Sequence, residues 1–224
     1  MKNILFIPVL IFTFFQGFCQ STCSEFYPFT EGTTSQITTY NKKGKVAAIT
    51  DFTVVSSTAT SASMSSKLSD KRGELISEST YDILCSGNGI SIDFKSMISP
   101  QITQQFNDME TEVSGTNLAL PNNLEINQEL PDADVHLEVN MAGIPMKMDF
   151  GMTDRKVIGK ESVTTPAGTF ECYVIAYAID LKMGMRKTGS AKQWIAKGVG
   201  MVKQEDYNKK GKVTSSSLLT AFQE

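Results

Sequence analysis

The heptapeptide Tyr-Asn-Lys-Lys-Gly-Lys-Val occurs twice in this chain, at Tyr40–Val46 and at Tyr207–Val213. Asn-Lys-Lys-Gly is a turn with a mechanism. The Asn side chain accepts a local backbone hydrogen bond, and Gly at the fourth place takes the left-handed conformation that closes a three-residue hairpin with a bulge. Asp70-Lys71-Arg72-Gly73 is a weaker third copy, and Thr165-Pro166-Ala167-Gly168 sets Pro where a turn wants its fixed φ. Tight turns of this kind join antiparallel neighbours, so the chain is constrained to long hairpins.

The segments around these turns carry the residues of a pleated, half-exposed surface. Phe26–Phe29 reads as a lead-in. One hairpin is expected from Thr33–Tyr40 and Lys45–Ser56, and a second from Ala59–Leu68 and Glu74–Cys85, with Ile90–Phe94 following. In the second half, strands are expected over Leu118–Ile126, Asp134–Met141, Met146–Arg155, Val157–Thr164, Phe170–Arg186, Ser190–Ala196, Gly200–Tyr207 and Val213–Phe222. Between the halves the period changes. Ser99-Pro100 reads as an N-cap and first-turn proline, and Ile98, Ile102, Phe106, Met109 and Val113 recur at helical spacing, which predicts a helix over Pro100–Glu112. The expected fold is mainly β: a single antiparallel barrel or half-barrel with one helix packed in its concavity.

The first nineteen residues read as a secretory leader and not as part of the fold. Lys2 supplies the positive start, and Ile4–Phe18 is an apolar run of 15 residues, shorter than the roughly 18 needed to span a bilayer. Gly17 and Cys19 occupy the small-residue positions before a cut, giving a signal peptide at 1–19 and one domain over 20–224. Acylation of Cys19 is the rival reading, disfavoured by the bulky Phe18 before it. An exported protein of the periplasm or cell envelope is expected, with no transmembrane segment in the mature chain. Removing the leader takes away one Lys and no acid, leaving 20 basic against 24 acidic residues. That balance argues against a nucleic-acid partner. Cys23, Cys85 and Cys172 remain. In an oxidising compartment at most one disulfide is expected, with Cys172 as a buried partner of either mate.

Chemistry-bearing patterns are few. His136 is the only histidine, so Ser-His-Asp, Cys-His and multi-histidine metal sites lack their parts. Gly87-Asn88-Gly89 and Gly198-Val199-Gly200 lack the following helix of a phosphate cradle. Lys42-Lys43 and Lys209-Lys210 read as solvated hairpin tips, and at best as a weak contact to anionic surfaces. No catalytic residue, metal site or cofactor is expected, and the chain does not read as an enzyme. The clearest pattern is apolar alternation. Tyr173, Ile175, Tyr177, Ile179, Leu181, Met183 and Met185 share one face, and Met146, Met148, Phe150 and Met152 share another. These residues suit a plain core or the wall of a site for an apolar molecule, since thioether side chains adapt to differently shaped partners. Copper(I) on the Met146/Met148 and Met183/Met185 pairs is a weaker reading, because no His or Cys completes the site. The candidate ligand-binding wall is Ile102, Phe106 and Met109 on the expected helix, facing Met146, Met148, Phe150, Tyr177, Ile179, Leu181 and Met183 on the strands.

Two stretches resemble a known family. Val163-Thr-Thr-Pro-Ala-Gly-Thr-Phe170-Glu-Cys-Tyr-Val-Ile175 and Trp194-Ile-Ala-Lys-Gly-Val-Gly-Met-Val-Lys203 are similar to the paired signatures of exported DUF3108-like proteins of Bacteroidetes type. The resemblance extends through the Asn-Lys-Lys-Gly hairpins and the Leu130-Pro-Asp-Ala segment. It implies a β-rich envelope domain with a curved sheet like that of lipoprotein carriers, and no agreed catalytic residues. The expected function is a non-enzymatic periplasmic or cell-envelope protein, binding an apolar small molecule, lipid or lipidated partner in the curved sheet. The alternative is an assembly module that docks another envelope protein and has a plain hydrophobic core.

Overall fold

The computed structural model describes residues 23–93, 110–141 and 144–224, so the expected leader lies outside the described residues. The strands are β1 Thr34–Asn41, β2 Val46–Ser57, β3 Ser61–Asp70, β4 Leu75–Cys85, β5 Gly89–Ile92, β6 Glu110–Thr116, β7 Leu118–Pro121, β8 Ala133–Met141, β9 Ile144–Thr165, β10 Gly168–Met183, β11 Met185–Ala196, β12 Gly200–Asn208 and β13 Val213–Gln223. They form one antiparallel sheet of 13 strands in the order β6-β8-β9-β10-β11-β12-β13-β1-β2-β3-β4-β5-β7.

The repeated turns close as their side chains dictate. Asn41 Oδ1 accepts from Lys43 N–H at 2.9 Å and Lys45 N–H at 3.3 Å. Asn208 Oδ1 repeats the pair with Lys210 and Lys212, and Asp70 Oδ1 with Arg72 and Glu74. Gly44, Gly73 and Gly211 take φ of 70°, 83° and 69°, a region where a Cβ is strained and glycine is not.

Closure rests on one stretch of chain. Asn117 alone separates β6 from β7, yet β6 pairs with β8 and β7 with β5, at opposite ends of the strand order. The same stretch therefore serves both edges, and the sheet curls into a nearly closed barrel. The seam beside β7 is covered by residues 122–131, which bond to β9: Asn127 N–H to Val157 O at 2.8 Å, Val157 N–H to Gln128 O at 2.9 Å, and Leu130 N–H to Arg155 O at 2.8 Å. Buried Arg155 stitches the seam from inside, with Nη1 donating to Ala119 O of β7 at 3.1 Å and to Pro131 O. A bulge aims it there. Ala176 pairs with Lys156 and Ala178 with Thr153, leaving Asp154 (φ 53°) and Arg155 opposite Tyr177 alone. The extra residue shifts the alternation, so Met152, Arg155 and Val157 are all buried.

Several expectations are corrected here. Among the described residues there is no helix. Of the expected helix Pro100–Glu112, Glu110–Glu112 belongs to β6, and Val113 on the same strand pairs with Leu137. The rest of that segment, with Ile102, Phe106 and Met109, lies outside the described residues. The fold is thus a nearly closed all-β barrel. Its core is made by strand side chains such as Val54, Ile83, Ile90, Ile175 and Ile195, together with Phe26 from the N-terminal segment. The expected strand Phe170–Arg186 is two strands. Gly184 (φ 69°) reverses the chain so tightly that Met183 pairs with Met185. The pattern hid this turn, because residues two apart share a face along a strand and also across a one-residue reversal. Met146–Arg155 and Val157–Thr164 are, conversely, the single strand β9.

The disulfide joins Cys23 to Cys85, with Cα atoms 5.4 Å apart. Cys172 is free and buried, contrary to the expected pairing. It lies beside Val174, Trp194, Ala196, Val202 and Leu219 in a second apolar cluster, where burial pushes its thiol up to about 11. Consecutive residues explain the second cluster. Val174 and Ile175 point to opposite faces and each is 1% exposed, as Trp194 and Ile195 are nearly so. Here the sheet is covered on both sides.

Candidate functional site

From this doubly covered region the strands β6, β8, β9, β10 and β11 run outward as an arm whose register sorts its side chains by chemistry. On one face Val113, Leu137, Met148, Met183 and Met185 form a continuous cross-strand row. The next row inward is Val135, Phe150, Leu181 and Lys187, and a pair further out is Val139 with Met146. Directly opposite residues in such rows are in side-chain contact range.

Of the expected binding wall, part of the strand half is brought together: Met148 and Phe150 on β9 stand opposite Met183 and Leu181 on β10, whereas Ile179 faces Met152, Tyr177 faces the bulge, and Met146 pairs instead with Val139 of β8. Their burial is graded. Tyr177 is buried, Ile179 and Phe150 pack on the core, and Met146 and Met183 are 44% and 64% exposed. On β9 and β10 the wall therefore opens outward, while Val135, Leu137 and Val139 of the same rows on β8 stay buried. Met185, at 77% exposed, shares this face by alternation yet stands outside the expected wall; Leu137 and Lys187 extend the same side and were missed, because only the pairing register places them there.

The opposite face of the arm is charged. His136 donates from Nε2 to Asp134 at 2.7 Å and meets Asp149 through Nδ1 at 2.8 Å. Holding both carboxylates requires both ring N–H groups, hence the imidazolium. The Asp149 hydrogen bond holds its pKa above the ordinary value; desolvation opposes the rise, and the two carboxylate charges with the Asp134 hydrogen bond add to it. Lys147 pairs with Glu138 at 2.8 Å, and Arg186 with Asp180 through Nε at 2.8 Å. A cleft of about 470 Å³ on this face is lined by Asp149, Asp180, Lys182, Gly184 and Arg186. Among the described residues no group of three or more His, Cys, Asp or Glu side chains converges to hold a metal ion.

The two ends of the barrel also differ. Alternate connections of an antiparallel sheet fall at alternate ends, so the β1–β2, β3–β4, β10–β11 and β12–β13 turns share one end. Residues 41–45 and 208–212 each carry three lysines and no acid, and residues 182–187 carry Lys182 and Arg186, which face Asp149 and Asp180, and Lys187, which faces neither. At the other end, residues 57–61, 85–89 and 165–168 carry no charge, and Lys197 in the β11–β12 turn is paired with Glu25. An open cleft of about 1220 Å³ lies there, between Tyr27, Phe29, Thr58, Gly198 and Glu224.

Known structures share this architecture. A candidate exported protein of YmcC-like fold from Bacteroides fragilis superposes with a TM-score of 0.73 at 21% identity, over 90% of this chain and 100% of that one. A candidate lipoprotein from Parabacteroides distasonis gives 0.71 at 25% identity, over 90% and 99%. No curated protein matches the chain. The sequence profile of the DUF3108-like family spans residues 30–219, from the segment before β1 to the last strand, and the chain belongs to that family.

Proposed function

We propose that this is a non-catalytic protein of the cell envelope, exported like the relatives named above, that holds an apolar chain of a small molecule, lipid or lipidated partner along the methionine side of the β8–β11 arm. The observation that carries the reading is the graded strip. Tyr177, Ile179, Leu181 and Met183 pass from core to solvent on one face of one strand, with Met152, Phe150 and Met148 beside the last three. A surface that continues a core offers an apolar chain contact along its whole length, and unbranched thioethers fit its shape at little cost. Acidic groups of the arm stand on the other face, so the strip is free of carboxylates.

The test is titration of an anthroyloxy-labelled fatty acid into the wild type and into Met148→Trp. Met148 is half-buried in the middle row, and an indole there fills the strip while leaving the fold intact. Saturable binding by the wild type, lost in a variant of unchanged circular dichroism, supports the reading. Absence of binding by the wild type overturns it and leaves the strip as a surface for docking protein.

A further inference from the structure

We propose that the turn-bearing end of the barrel is a docking face for an anionic lipid bilayer. The chain as a whole is acidic, with 24 carboxylates against 21 cations, so a cluster of cations at one end is a matter of placement and not of composition. The topology makes that placement. Both copies of the Tyr-Asn-Lys-Lys-Gly-Lys turn lie at this end, because β13 pairs with β1 and their outer turns emerge side by side, Asn41 opposite Ser215. Lys42, Lys43, Lys209 and Lys210 are exposed and make no salt bridge among the described residues. The third copy, Asp70–Glu74, is neutral in balance and subtracts nothing.

The β10–β11 tip at the same end decides the kind of polyanion. Met183 and Met185 are directly paired at its apex and are 64% and 77% exposed. Lys187 sits on their side of the hairpin by register with Leu181, and makes no salt bridge among the described residues. A soluble polyanion satisfies the lysines and leaves two methionines in water. A bilayer with anionic headgroups takes both, the thioethers at the acyl boundary and the ammonium groups among the phosphates. The opposite end offers neither feature, since its turns are uncharged or internally paired.

Vesicle co-sedimentation tests the assignment. The full chain, expressed with its leader and recovered from the exported fraction, is mixed with vesicles of phosphatidylglycerol and phosphatidylethanolamine, or of phosphatidylcholine alone, at low and high salt. The wild type is expected to sediment with the anionic vesicles at low salt and to be released at high salt. A variant carrying Lys42→Gln, Lys43→Gln, Lys209→Gln and Lys210→Gln is expected to lose roughly fivefold in partition per lysine removed. A Met183→Ser/Met185→Ser variant is expected to bind more weakly than the wild type and to be released at lower salt. Lys197→Gln, at the other end, is expected to bind as the wild type does. All variants are checked for unchanged unfolding midpoints, since exposed turn residues bear little on stability. Equal binding to both vesicle types, binding unaffected by the lysine substitutions, or retention on heparin without sedimentation on anionic vesicles would each overturn the proposal.

Discussion

The two ends of this barrel are built on opposite principles. The end that receives the N-terminal segment is tied down by every kind of bond the chain has. Phe26 is buried in the core and meets Tyr173 edge-on at 5.7 Å. The Asn122 side chain accepts from Glu25 N–H at 2.9 Å and donates to Cys23 O at 3.2 Å. Gly198 N–H bonds to Glu25 O, Lys197 pairs with Glu25, and a disulfide fastens Cys23 to Cys85. The turn-bearing end has local turns, exposed cations and two exposed methionines. The long-range ties gather around Cys23–Phe26, which leaves the turn tips at the other end free to be chosen for what they meet.

Substitutions can break or sharpen that contrast. Phe26→Ala is expected to be the costliest, at about 3–5 kcal/mol in denaturant unfolding, because it empties a filled part of the core. Removing the disulfide as Cys23→Ala/Cys85→Ala should cost roughly 2–4 kcal/mol, mainly by freeing the 62-residue separation in the unfolded chain. Thiol counting after unfolding without reductant should find Cys172 alone among Cys23, Cys85 and Cys172. Gly200→Ala should cost about 1–3 kcal/mol, because φ there is 85° and a Cβ would sit 3.1 Å from the Tyr27 ring. If Lys43→Ala or Lys210→Ala matched any of these losses, the contrast between the ends would fail.

The smallest expected effect is pH-dependent and lies on the arm. His136 faces Asp134 on its own strand and Asp149 on β9, with Lys182 of β10 3.9 Å from Asp149. Its folded pKa is raised, so its contribution is fully present below the unfolded value near 6.5 and fades as pH rises through the folded value. The unfolding midpoints of the wild type and His136→Asn should therefore differ most at mildly acidic pH and converge in alkali. The difference should be slight, because the imidazole is half exposed and salt screens it. A gap that widened with pH would contradict the ion-pair account.

What the sequence determined by itself is everything that a few neighbouring residues decide. Asn41, Asp70 and Asn208 each bond within their own turn, so those hairpins could be placed from the residues alone, and the antiparallel class followed. Alternation likewise put Met146, Met148 and Phe150 on one side and Ile179, Leu181 and Met183 on another, leaving only their meeting to be found. The tertiary structure decided what depends on counting residues across strands. One extra residue at Asp154–Arg155 turned an arginine into the barrel, and one glycine at 184 turned an expected long strand into a hairpin with its methionines at the apex. It also paired Cys23 with Cys85 across a separation on which local pattern has no hold. Above all it gathered lysines far apart in the chain at one end of the barrel. Turn chemistry is local, but the end at which a turn emerges depends on how many strands precede it and on where the sheet closes.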